Sequence, residues 1–213
     1  MATRAMLCQY ANQETVPGMT SPGAALRIER VDAGHADRAS LQAYIAATFL
    51  ASYGAEVNHF CDHLLGCRDE DGCWLAALGF TFARDGDAFL EQYLDAPLEL
   101  EIASRTGQAV TRGQVVEVGN LAAGHAGATR TLIACMTEYL YHQGMVWVAF
   151  TATRGLLNSF TRLRLRPAVI IDADPARLPG GGKNWGSYYA SKPQVMFGDI
   201  RSGYAQLAKQ FLR

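Results

Sequence analysis

The run VVEVGNLAAGHAGATRTLIACMTEYL, Val115 to Leu140, followed closely by MVWVAFT, limits the possible folds more than any other part of the chain. Val115 to Leu121 is apolar and interrupted by glycine, as in a buried strand. Thr129 to His142 places Leu132, Ile133, Met136 and Leu140 at helical spacing, and Met145 to Thr151 is a second apolar strand. Strand, helix and strand with such short links predict a right-handed crossover between parallel or nearly parallel strands. This strand–loop–helix carries Gly119, Gly124 and Gly127. Glycine lets a ligand approach the backbone, and a helix N-terminus offers unpaired N–H groups and partial positive charge, so this loop can hold a pyrophosphate. The same glycines could serve only to turn the chain tightly.

The first half reads differently. Residues 1–25 mix Pro, Gly, Thr and Asn without periodicity and are expected to form a flexible or loosely docked arm, leaving 26–213 as a single domain. Leu26, Ile28 and Val31 suit a short strand, and Leu41, Tyr44, Ile45, Thr48 and Phe49 lie on one helical face. From His63 to Leu94, apolar runs alternate with DEDG and RDGD, which predicts an antiparallel meander of LLGC, CWLAALGFTFA and AFLEQYL. A helix can open after Pro97, and a short one is expected over Arg154–Leu165. AVIIDAD and the residues from Val195 to Ile200 read as strands, the latter as an edge strand that could pair with a second copy or be covered. ARLPGGGKNWGSYYASKP is too rich in Gly and Pro for a regular element, and its Trp185, Tyr188 and Tyr189 are unusual in an idle loop.

Composition removes several functions. A net charge of −1 provides no global basic field, so nucleic acid is not expected as a partner. No run approaches the ~18 apolar residues of a membrane span, and no apolar signal core opens the chain, so a cytoplasmic location is expected. The five cysteines contain no C-x-x-C pair, which argues against a disulfide framework or zinc ribbon, and no metal site is expected. Cys135 falls among the apolar helix positions and reads as core, while Cys67 and Cys73 flank a turn and could be hairpin neighbours.

Gly124-His125-Ala126-Gly127-Ala128-Thr129, the helix after it and Phe160-Thr161-Arg162-Leu163-Arg164-Leu165 together resemble an acyltransferase of the GNAT superfamily. More specifically, FLEQYLDAPLE, VVEVGNLA, WVAFTATRGLLNSF and NWGSYYASKPQV, in that order, look like the thermostable hemolysin family, itself similar to GNAT proteins and to acyl-homoserine-lactone synthases. The resemblance implies an α/β (α+β) domain whose mixed, mostly antiparallel central sheet is flanked by helices on both faces. It implies transfer of an acyl or aminoacyl group from a phosphopantetheine thioester, acyl-CoA or an acyl or peptidyl carrier protein, to a small-molecule amine, with no tightly bound cofactor. Donor binding would fall on Val118, Gly119, Asn120 and Leu121 and on Gly127, Thr129 and Arg130. This chain departs from the GNAT pattern at Gly124, where a basic residue or Gln opens the loop, and at Phe160, where a tyrosine often acts as acid. A pantetheine arm is thus better supported than a CoA nucleotide.

Among the carboxylates, Glu117 sits within the apolar strand, where it must be paired or functional. Glu117, Glu91 and Glu99 are the candidate catalytic residues, and a structural ion pair is the competing role for each. Trp185, Tyr188 and Tyr189 are candidates for an acceptor pocket or, equally, a packed loop. A lone loop histidine such as His125 is more often solvated than catalytic. The other functions left open are a non-catalytic GNAT-like binding module and a membrane-active hemolysin.

Overall fold

A computed structural model describes residues 16–21, 24–124 and 126–211. The alternating HLLGCR and WLAALGFTF form β3 (His63–Arg68) and β4 (Trp74–Phe82), an antiparallel hairpin. Its turn uses Gly72 at φ +80°, while the Asp69 carboxylate accepts from the Cys73 N–H at 2.8 Å. Cys67 therefore stands opposite Ala76 and Cys73 lies in the turn, so the two cysteines are not cross-strand neighbours. Both are free thiols.

β1 (Val16–Ser21) and β2 (Ala24–Val31) extend the sheet on one side, so the last part of the expected arm is a paired strand. On the other side come β5 (Val115–Ala123), β6 (Trp147–Ala152), β7 (Ala168–Asp172) and β8 (Gln194–Asp199). The order is β1-β2-β3-β4-β5-β6-β8-β7, with β5 and β6 the parallel pair and the other pairings antiparallel. The expected crossover is present. Two expectations fail. AFLEQYL does not join the sheet, because β5 takes the place beside β4 and Phe89–Tyr93 winds into a 3-10 turn instead. The residues from Val195 to Ile200 supply an interior strand, β8, held between β6 and β7, and offer no free edge to a second copy.

Helices cover both faces. α1 (Arg38–Tyr53) buries Leu41, Ile45 and Phe49 against Leu64, Ala77 and Ala122. Along the same face Val115, Ala149 and Phe197 are covered by Ile102 of α2 (Leu98–Thr106) and by Leu90 and Tyr93 of the 3-10 turn. Successive strand residues alternate sides, so Leu65, Leu78, Phe80 and Val116 face the other way. They pack on Leu132, Met136 and Leu140 of α3 (Ala126–His142) and on Ile200 of α5 (Ile200–Phe211). α4 (Arg154–Arg162) lays Leu156 and Phe160 over Phe150 and Met196. α1 and α2 end at Gly54 and Gly107, whose positive φ closes the last turns.

Candidate active site

The site begins where the sheet comes apart. β5 and β6 are in register from Val115 with Trp147 to Val118 with Phe150. Beyond that, β5 continues on β4 and β6 continues on β8, so the parallel strands diverge. The divergence is set partly by a bulge: Gly119 to Ala122 on β5 spans one residue more than Gly79 to Ala77 on β4, and Asn120 takes φ +51°. The Asn120 side chain keeps the bulge in place. Its Oδ1 accepts from the Cys61 N–H at 2.8 Å and its Nδ2 donates to the His59 carbonyl at 3.1 Å.

Into this gap opens a cleft of about 1680 Å³, lined from both sides of the sheet. On the α1 side its wall includes Tyr53, His59, Cys61, Phe89, Tyr93 and Glu117, with Trp185 and Tyr188 above. On the α3 side it includes Thr129, Ile133, Met136, Val148, Phe150 and Phe160.

Glu117 is the buried carboxylate of the cleft, 5 % exposed. Burial pushes its pKa up to about 7; the N–H groups of Phe89 and Leu90 pull it down, while Glu91 and Asp62 raise it further. Such a group holds or releases a proton near neutrality. The misassigned AFLEQYL is what makes this environment, because its 3-10 turn brings the Phe89 and Leu90 amides over the carboxylate. Cys61, against Gly79 and Gly119, has its thiol pushed up to about 12 by burial and by Glu117, so it remains protonated.

The other two candidate carboxylates are engaged elsewhere. Glu91 accepts from the Ala88 and Leu98 N–H groups at 3.1 and 2.9 Å, and Arg112 donates to both of its oxygens at 2.7 and 2.9 Å. Burial alone would raise the Glu91 carboxyl, but Arg112 and these amides hold it below the usual range. Glu99 accepts a second bond from Arg112 at 3.1 Å. These two carboxylates seat the 3-10 turn and the start of α2 rather than line the cleft. Sequence spacing gave no sign that Arg112 would join them.

Of the expected donor positions, Val118, Gly119, Asn120, Leu121 and Thr129 line the cleft; Gly127 and Arg130 lie in the opening turns of α3 outside its lining. His125 lies outside the described residues. Phe160 stacks on Phe150 at 4.9 Å between centroids.

The Gly-rich segment of residues 178–193 is pinned to the end of α1: Ser187 N–H donates to the Tyr53 carbonyl and Glu56 N–H to the Asn184 carbonyl, both at 2.7 Å. Trp185 and Tyr188 thereby meet Phe49 and Tyr53, with centroids 5.2 to 6.3 Å apart. Tyr189 turns aside, its hydroxyl 2.6 Å from that of Tyr93. Cys61, His59 and Tyr53 escaped the sequence reading. For His59 and Cys61 the signal was NHFCDH, residues 58–63 running into β3, which has no periodicity to place it; Tyr53 closes α1 and carried no such signal. Among the described residues, no cluster of three or more His, Cys, Asp or Glu side chains is placed to hold a metal ion.

Residues 31–204 match the thermostable hemolysin family. The chain belongs to that family. No curated protein matches it in sequence. Among solved structures, it is similar to FeeM, an N-acyl amino acid synthase from uncultured soil microbes, with 14% identity, TM-score 0.59, and coverage of 90% of this chain and 100% of that one. The acyl-homoserine-lactone synthase LasI matches at 11% identity and TM-score 0.56 over 84% of this chain and 91% of its own. BjaI, a CoA-dependent acyl-homoserine-lactone synthase solved with SAM and isopentyl-CoA, matches at 14% identity and TM-score 0.53, covering 88% and 89%. With an N-acetyltransferase from Staphylococcus aureus Mu50 also similar, at 9% identity and TM-score 0.50 over 83% of this chain and 98% of that one, the thermostable hemolysin chain has the GNAT-like fold.

Proposed function

We propose that this thermostable hemolysin family member is an N-acyltransferase that moves an acyl group from a phosphopantetheine thioester to the amine of a small molecule. The observation that carries the reading is Glu117, a buried carboxylate with its pKa near neutrality at the gap between diverging β5 and β6. As general base it takes a proton from the acceptor ammonium; the amine attacks the thioester carbonyl, the C–N bond forms, the C–S bond breaks to release pantetheine thiolate, and the proton that the new amide nitrogen sheds passes through solvent to that thiolate. Phe160 has no proton to offer the leaving group, and a thiol of ordinary acidity does not need one. The pantetheine arm runs from Val118, the last residue paired with β6, along the edge of β5 left open at Gly119, Asn120 and Leu121, toward Thr129, Gly127 and Arg130 at the start of α3. The amine approaches from the opposite side, between Tyr53, Trp185 and Tyr188, with Tyr189 bracing that wall.

Either acyl-CoA or an acyl or peptidyl carrier protein meets this description, and both are cytoplasmic donors. The fold shared with FeeM, LasI and BjaI supports the reaction class. The test is incubation of the protein with a panel of acyl-CoA thioesters and acyl-loaded carrier proteins plus amines, with mass detection of N-acyl products. Product that disappears in Glu117→Gln is expected. Donor binding without transfer across the panel would instead make the chain a non-catalytic binding module, the reading that Phe160 favours.

A further inference from the structure

Three long cationic side chains line the cleft, Arg164, Arg166 and Lys183. Their chemistry differs. A guanidinium stays protonated at any ordinary pH, whereas an ammonium can give up a proton and become a nucleophilic amine. The chain holds 16 arginines and only three lysines, Lys183, Lys192 and Lys209, and of these three Lys183 alone borders the cleft. Its backbone is firmly placed. Gly180, Gly181 and Gly182 take φ of +77°, +65° and +71° in succession, which turns the chain immediately before Lys183. A Cβ at residue 182 would stand 2.7 Å from Pro175 Cβ, so the turn requires glycine there for space as well as for φ. Just after Lys183, the Asn184 carbonyl accepts from the Glu56 N–H at 2.7 Å. Trp185 then approaches the Phe89 ring at 6.2 Å between centroids, and the Phe89 N–H is one of the two that hold Glu117. Lys183 is thus anchored on the acceptor side of the reacting centre, while its side chain is exposed and its four-carbon stem can swing into the cleft. Among the described residues, no carboxylate holds its ammonium in an ion pair.

We infer that Lys183 is an acyl acceptor within the chain: with a loaded donor in place and no amine present, the protein acylates its own Lys183 Nζ. For the donor and the base this rests on the acyltransferase reading; the modified residue goes beyond it. Glu117 takes a proton from the Lys183 ammonium, Nζ attacks the thioester carbonyl, the C–N bond forms and the C–S bond breaks. The second proton shed by nitrogen passes through solvent to the pantetheine thiolate, Glu117 returns its own to solvent, and the products are an acyl-lysine amide and a free thiol. Nucleophile and bound thioester sit in one complex, so the step is first order in that complex and independent of protein concentration. The product has lost its charge and lays an acyl group across the path of the amine beside Tyr53 and Trp185, so the labelled protein transfers to added amines more slowly.

The test incubates the full-length protein with hexanoyl-CoA or a hexanoyl-loaded carrier protein, without and with a panel of amines, and follows intact mass and peptide maps. One hexanoyl group on Lys183 is expected, with Lys192 and Lys209 each below about a tenth of that occupancy and an initial rate roughly tenfold or more lower in Glu117→Gln. At saturating donor the rate constant should not change on dilution. Lys183→Arg should lose the label and Lys192→Arg should keep it. Protein labelled beforehand is expected to transfer to amine several-fold more slowly than unlabelled protein; an undiminished rate overturns the placement of Lys183 in the amine's path. Label spread evenly over the three lysines, label formed at the wild-type rate in Glu117→Gln, or a rate constant that falls on dilution marks adventitious or intermolecular chemistry and overturns self-acylation. Amine product with no label at Lys183 overturns it too and leaves the acyltransferase reading intact. Label at Lys183 with no amine product supports self-acylation and overturns the small-molecule acceptor of that reading. Neither label nor product with either donor overturns both.

Discussion

Glu117 and Glu91 are both glutamates in apolar surroundings, yet their environments push them in opposite directions. Glu117 has a folded pKa raised from 4.5 to about 7 by burial. The folded state therefore binds more protons than the unfolded state between those values, and stability falls as pH rises across the window, by about 3 kcal/mol in total. Urea midpoints of wild type and Glu117→Gln should show it: the wild type weakens between pH 5 and 8 and the variant does not. The same ionisation sets activity, because the base must be deprotonated. The wild-type kcat/KM is expected to rise with pH and level off above about 7, and Glu117→Gln should lose both the pH limb and roughly a hundredfold or more in rate. Glu91 follows the opposite sign. Its depressed pKa contributes stability above the unfolded value that is lost as acid protonates it. Glu91→Ala should lower the unfolding free energy by about 2 kcal/mol at pH 7, less at low pH, with KM and kcat moving only as far as Glu117's amide donors shift. From the sequence these residues were three equivalent candidates with Glu99. What separates them is Arg112, distant in sequence from Glu91 and brought to it only by the tertiary fold.

At the level of elements, most helices and strands were legible because their apolar residues recur with a clear period. The failure at AFLEQYL is instructive. Phe89, Leu90 and Tyr93 suit a strand or a turn of helix equally, and the choice was made by β5 occupying the sheet position and by Glu91 capping the turn. The bulge at Asn120 was invisible for a similar reason: a positive φ inside a strand follows from the pull of Cys61 and His59 on its side chain. Asn120→Ala removes both bonds and keeps the strained backbone, so a loss of about 1–3 kcal/mol in chemical denaturation is expected, with Asn120→Gly recovering part of it. The aromatic segment has its own weak point. At Gly186, φ is +50° and a Cβ would sit 2.1 Å from the Tyr53 carbonyl oxygen. Gly186→Ala should displace Trp185, raising KM for the amine more than for the thioester donor in steady-state kinetics.

Across the whole molecule, the family blocks gave the right fold because they sample both sides of the crossover, and the order of strands follows once β5 and β6 are parallel. The identity of the open edges did not follow. Arg105 donates to the Ile170 carbonyl on β7, and β8 is enclosed, facts that depend on strand order rather than on any local pattern. The parallel seam has a further consequence. Val115–Val118 and Trp147–Phe150 are the whole sheet connection between the antiparallel group β1 to β5 and the smaller group β6 to β8. A seam so short should breathe. Its amides can serve as built-in reporters, exchanging with deuterium faster than those of β3 and β4 in the free protein, and slowing once a thioester arm spans the gap like a stitch between two pieces of cloth.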